Sequence, residues 1–251
     1  MMELAALEKY CNRLLAVDAF QDWCPNGVQV EAGSGRIRRV VSAVTASLAA
    51  IEGALEMEAD LLLVHHGYFW KGEAAPLTGV KGRRIAALYR HGISLLAYHL
   101  PLDAHPELGN NRQLGLRLGW EQGAPAEGSE GLLWQVELSV PEGPAQIAER
   151  LQRVLGRVPL HLPGGGDRVA RIGWCSGAAQ ENIEQAAELG LDAFVSGEAS
   201  EQTLHLAREL GIHFFAAGHH ATERFGVQAL GEHLAGKFGL EHRFLEIQNP
   251  V

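Results

Sequence analysis

Residues 59–66 read ADLLLVHH and residues 191–198 read LDAFVSGE. In the first stretch Asp60–Val64 is almost continuously apolar, which fits a strand buried on both faces rather than one lying half in water. Working outward, Arg39–Val44 reads as a strand and Ser47–Glu58 as a helix, with Leu48, Ile51 and Leu55 at helical spacing. On the other side, a helix over Arg83–His91 leads into a strand over Ile93–Tyr98, and Asn111–Leu118 reads as a further helix that stops at Gly119. Strands alternating with helices predict an α/β fold with mixed, mostly parallel sheets.

The second stretch sits in the same surroundings. Val169–Cys175 reads as a strand, Gln180–Leu189 as a helix, Asp192–Ser196 as a strand, Glu201–Leu210 as a helix and Ile212–Ala217 as a strand ending at Gly218. Gly92-Ile93 matches Gly211-Ile212 in position. This order predicts two similar α/β halves from an internal duplication: residues 1–125 carrying His65, His66 and Asp103, and residues 126–251 carrying His219 and Glu223. Between the copies, Leu132–Val140 alternates as a strand, Pro144–Leu155 is helical, and His161–Asp167, with three consecutive glycines, reads as a connector. Lys71–Arg84, broken by Gly72, Pro76, Gly79 and Gly82, reads as a surface loop near the site.

The 251 residues are 47% hydrophobic and 20% charged, the balance of an ordinary globular protein. The 21 basic and 30 acidic side chains give a formal net charge of −9, which argues against a general nucleic-acid binder. Apolar runs such as Leu61–Val64 and Phe214–Ala217 are far too short to span a bilayer. Met1–Phe20 has charges scattered through an apolar pattern, as in an amphipathic helix and unlike a signal sequence, so a cytoplasmic location is expected. Cys11, Cys24 and Cys175, odd in number and without a CxxC pair, read as reduced thiols.

Ligand-type residues fall just beyond the strand ends. Leu61–Val64 runs into His65-His66; Ile93–Tyr98 leads to His99 and then Asp103; Ile212–Ala217 leads to His219-His220 and Glu223. In open parallel sheets sites lie beyond the carboxyl ends of strands, so three ends deliver imidazoles and carboxylates suited to a metal. Successive side chains at a strand end point to different sides, so His65 and His66 are each suited to one of a pair of ions. His219 and Glu223, four apart, share a face if a helix starts there, which lets Glu223 lie between two metals. A single strand-end histidine such as His99, His105 or His220 is more often structural than a ligand. Glu198 falls opposite His66 in the repeat and reads as a site acid or base, a partner orienting a histidine, or a solvated carboxylate.

Other signals are weaker. Gly164-Gly165-Gly166 lacks the Lys-Ser/Thr of a phosphate loop and reads as a flexible connector. Cys175-Ser176-Gly177 has no GxSxG frame, and the thiol reads as buried. Trp23 and the Pro25-Asn26-Gly27 turn shape the N-terminal region. Tyr68-Phe69-Trp70 could form a wall for a base-like ring, with core packing the blander reading.

NGVQVE (26–31), VHHGYFWKGE (64–73), HLPLDAHPELGNN (99–111), SGEASEQT (196–203) and AAGHHATERFG (216–226) together resemble the Ngg-interacting-factor-three-like family. Its members are commonly labelled GTP cyclohydrolase 1 type 2 homologues, and the likeness is to the short bacterial YbgI-type ones. The resemblance implies a two-domain α/β fold, a toroidal homohexamer, and a dinuclear metal centre held by His65, His66, Asp103, His219 and Glu223, with Glu223 bridging. The function expected is that of a metal-dependent hydrolase acting on a nucleotide-like or heterocyclic small molecule. Two divalent ions per chain, whether Zn, Fe, Mn, Ni or Co, would hold a bridging hydroxide, with Glu198 or His99 moving the proton. The rival reading is a non-catalytic metal-binding or metal-trafficking ring.

Overall fold

Strand Leu61–His66 occupies the middle of a five-stranded sheet in the computed structural model, which describes all 251 residues. The strand order is Glu241–Phe244, Arg39–Thr45, Leu61–His66, Ser94–Ala97, Gly27–Val30. The first four run parallel and the last is antiparallel to Ser94–Ala97. Leu61, Leu62, Leu63 and Val64 are all buried, as the uninterrupted apolar run requires. Leu62 and Val64 pack with Val41, Ala43, Leu95, Ile51, Ile85 and Leu88, so helices Leu48–Glu56 and Gly79–His91 cover that face. Ser47 starts the first of these helices by accepting the Ala50 amide hydrogen at 3.1 Å. This unit comprises residues 1–102 and 226–248.

The other unit, residues 103–225 with 249–251, has a six-stranded sheet. Its order is Ala124–Pro125, Trp134–Glu142, Val169–Trp174, Ala193–Ser196, His213–Ala216, Leu160–Leu162. The strands Val169–Trp174, Ala193–Ser196 and His213–Ala216 are parallel, and their flanking neighbours are antiparallel to them. The core on one face joins Trp120, Trp134, Trp174, Ile147, Leu151 and Phe225. The helix Pro144–Leu155 begins and ends where the sequence placed it, with proline in its first turn and Gly156 left-handed at its end.

Each sheet holds a run of three parallel strands edged on one side by an antiparallel strand that precedes them in the chain; on the other side the first sheet adds the parallel Glu241–Phe244 and the second the antiparallel Trp134–Glu142. The correspondence reaches single hydrogen bonds. Asp60 Oδ2 accepts the amide hydrogens of Arg38 and Arg39, both at 2.8 Å. Asp192 Oδ2 accepts those of Ala170 and Arg171, also at 2.8 Å.

The boundary expected at 125/126 falls inside the second unit, which starts at Asp103, and the chain returns to the first unit at Gly226, within the 20-residue helix His219–Phe238 that leads to the strand Glu241–Phe244. The strand at Leu61 continues through His65 and His66, since Thr45 still pairs with His66. The helix expected from Arg83 starts at Gly79, and a short helix, Leu100–Ala104, follows the strand Ser94–Ala97. The expected connector at His161 opens as part of the strand Leu160–Leu162 and is pinned beyond it. His213 Nε2 donates to the Gly166 carbonyl at 2.7 Å, and Gly164 lies so close to Ala207 and Ile212 that a side chain would not fit. No helix is long and apolar enough to cross a membrane.

Candidate metal centre

In the first unit, His65 and His66 are the last residues of strand Leu61–His66, with ring centroids 4.7 Å apart. His65 is buried and donates its Nδ1 hydrogen to the Tyr98 carbonyl at 2.9 Å, which leaves the lone pair on Nε2. His66 Nδ1 lies 3.1 Å from the hydroxyl of Thr45, its register partner on the next strand. His99 follows the neighbouring strand and gives its Nδ1 hydrogen to Asp22 at 2.7 Å. One ring nitrogen from each of His65, His66 and His99 lies within 4.8 Å of the others, a group that could hold a metal ion.

The aromatic run beyond the doublet divides. Tyr68 is core, its hydroxyl donating to the Ala46 carbonyl at 2.7 Å. Trp70 is half-buried, edge-on to His99 with centroids 5.0 Å apart and 5.9 Å from His66. Between them Phe69 has φ +65°, a strained value for a bulky residue, where the Glu73 carboxylate accepts the amide hydrogens of Phe69 and Trp70 at 2.8 and 3.2 Å.

In the second unit, Asp103 is buried, and its Oδ1 accepts from Asn110 Nδ2 at 2.8 Å and from the Ser176 hydroxyl at 3.1 Å. His219 and Glu223 lie one turn apart at the start of helix His219–Phe238, with His219 Nε2 3.0 Å from Glu223 Oε2. Glu198, just past strand Ala193–Ser196, accepts the His219 Nδ1 hydrogen at 2.6 Å. That bond has the geometry of one of its three readings, a partner that orients a histidine. Burial lowers the pKa of the His219 imidazole, but the Glu223 and Glu198 carboxylates outweigh it and raise the value to about 9. Glu223 is itself buried. Gly177, at φ +68°, faces its carboxylate so closely that a Cβ would overlap Oε1. The Cys175 thiol is buried and free, its pKa raised by burial and then by the negative charge of Asp103 and Glu223.

Thus His65, His66 and His99 come together on one unit, and His219, Glu223 and Glu198 on the other, which also holds Asp103. The sequence reading missed the residues that orient them: Asp22, Thr45, Asn110 and Ser176. Ser176 and Thr45 were within reach of the strand-end rule, as both close or follow a parallel strand. Asp22 and Asn110 lie in a loop and a helix start with no such marker.

The family model for Duf34/NIF3 (NGG1p interacting factor 3) matches residues 2–250. The chain belongs to the DUF34/NIF3 family. A DUF34/NIF3 relative from Allochromatium vinosum, named GTP cyclohydrolase 1 type 2 homolog, is 53% identical over 251 residues, covering 100% of this chain and 98% of the relative. One of the same name from Pseudomonas aeruginosa is 51% identical, covering 99% of this chain and 98% of the relative. Among solved structures, the protein ybgI superposes with TM-score 0.94 at 45% identity, with full coverage of both chains. TTHA1606 from Thermus thermophilus gives 0.89 at 37% identity, again with full coverage of both.

Proposed function

We propose that this DUF34/NIF3 protein is a dinuclear-metal hydrolase of GTP cyclohydrolase 1 type 2-like character, acting on nucleotide-like or heterocyclic substrates. His65, His66, Asp103, His219 and Glu223 would hold two divalent ions, with Glu223 shared between them. The observation that carries this reading is how the donors are prepared. His65 gives Nδ1–H to an oxygen and keeps the Nε2 lone pair, His219 gives Nδ1–H to Glu198 with Nε2 turned to Glu223, and Asp103 is oriented by two donors. Imidazoles oriented in this way suit metal ligation, and the mixed nitrogen and oxygen set accepts Zn, Fe, Mn, Ni or Co.

When bound, such ions act as Lewis acids and make water a nucleophile at neutral pH. The chain's own contribution is to orient the donors, through Tyr98, Glu198, Asn110 and Ser176, and to move a proton. His99 and Glu198 are of suitable type for that transfer.

The relatives' shared name supports a GTP-like substrate. The matching strand orders and the Asp60 and Asp192 bonds support an internal duplication. The family resemblance supports a homohexameric ring, and three free, buried cysteines support a reducing cytoplasmic setting.

The test is incubation of metal-reconstituted protein with GTP and related nucleotides, followed by product analysis, for wild type and Glu223→Ala. Turnover by wild type that the variant loses supports the hydrolase. Full metal occupancy without turnover of any nucleotide would favour a metal-trafficking protein.

A further inference from the structure

Asp22 accepts four hydrogen bonds, with a side chain only 4% exposed. Oδ1 accepts the Trp23 amide hydrogen at 2.6 Å and the His99 Nδ1 hydrogen at 2.7 Å. Oδ2 accepts from Asn26 Nδ2 at 2.9 Å and from the Leu100 amide at 3.0 Å. All four partners are donors, and an ionised carboxylate offers about four lone-pair sites and no hydrogen, so only the anion satisfies the set. Burial raises its pKa, but the bond from His99, with those from Asn26 and Trp23, outweighs it and holds the group at about 2.

The His99 ring is fixed on its other sides as well. Its own amide donates to Asn26 Oδ1 at 2.7 Å, so one short turn grips both backbone and ring. Trp70 stands edge-on to the ring at 83°, and the rings of His65 and His66 lie 5.1 and 5.8 Å away, centroid to centroid. With Nδ1 protonated and engaged, the remaining lone pair is on Nε2.

We propose that Asp22 is a positioning residue that fixes His99 in the Nδ1–H tautomer, so that Nε2 accepts the proton of a water or substrate hydroxyl reacting beside His65 and His66. In that transfer the proton passes from oxygen to Nε2, the bonding pair stays on the oxygen, and the imidazolium keeps its Nδ1–H bond to Asp22. The use made of Nε2 rests on the metal-dependent reading above, whereas the tautomer itself does not. The arrangement is that of a carboxylate orienting a catalytic imidazole from behind, in which the acid holds the tautomer and remains ionised.

The experiment is a two-bond proton–nitrogen correlation spectrum of 15N-labelled, zinc-reconstituted protein, with His99 assigned by its loss in His99→Gln. Wild type is expected to show a protonated Nδ1 and a bare Nε2. In Asp22→Asn an amide hydrogen meets two of the four donors, and the pattern should move toward Nε2–H or a mixture; Asn26→Ala, which keeps the carboxylate, should retain the wild-type pattern. An Nε2–H tautomer in wild type, or an unchanged pattern in Asp22→Asn, overturns the proposal. The wild-type spectrum decides even if Asp22→Asn does not fold. Zinc content, measured on the same samples, is expected to be equal in wild type, Asp22→Asn and His99→Gln. A fall confined to His99→Gln would make His99 a ligand and overturn its role as acceptor. Absence of zinc from wild type would count against the metal reading while leaving the tautomer legible.

Discussion

Glu198 Oε1 accepts the Nδ1 hydrogen of His219 at 2.6 Å, and on the other side of the same ring Nε2 lies 3.0 Å from Glu223. Burial alone would lower the pKa of this imidazole, but the two carboxylates raise it to about 9. A metal must displace that proton to use Nε2. Metal affinity is therefore expected to fall about tenfold per pH unit below pH 9 from this group alone. Zinc competition titrations across that range check it, and Glu198→Gln should move the onset of the fall to lower pH.

Gly177→Ala is expected to remove most of the bound metal. The added Cβ would overlap the Glu223 carboxylate, and the left-handed backbone at φ +68° adds about 1–2 kcal/mol of strain. Metal content and the thermal midpoint of the metal-free protein separate the two effects. Loss of metal should exceed what the stability change explains.

Asp22 contributes to the acid limb of stability. Its folded pKa, about 2 against an ordinary 3.8, is depressed, so its contribution is present above about pH 4 and lost as pH falls through 2. The amount is on the order of 2 kcal/mol. Urea midpoints at about pH 5 and about pH 2 should differ less in Asp22→Asn than in wild type.

Asp60→Ala and Asp192→Ala are expected to cost similar amounts, on the order of 1–2 kcal/mol each, because each removes two bonds to backbone amides at matching positions. Denaturant unfolding measures both. Equal costs would support a common origin of the two sheets, and a large inequality would show that the two aspartates have diverged in role.

Much of this architecture was legible from residues 59–66 and 191–198, because a strand buried on both faces leaves an apolar run that cannot be mistaken for a half-exposed one. Ligand candidates were legible for a related reason: His65, His66, His99 and His219 each sit where a parallel strand ends or just beyond it. The bonds that orient them were not legible. Tyr98 acts through its carbonyl, which no side chain announces, and Asp22 is 77 residues from His99. The return of Gly226–Gln248 to the first unit was also hidden, since it depends on the parallel pairing of Glu241–Phe244 with Arg39–Ser42, a contact across some 200 residues.

The claim that His65, His66, Asp103, His219 and Glu223 hold two ions is tested most directly by elemental mass spectrometry of purified protein. Wild type, His65→Ala and Glu223→Ala would be compared at equal protein concentration. About two divalent ions per chain, falling sharply in both variants, is the expected result. Near-zero metal in all three after reconstitution with zinc, manganese and iron would contradict the account.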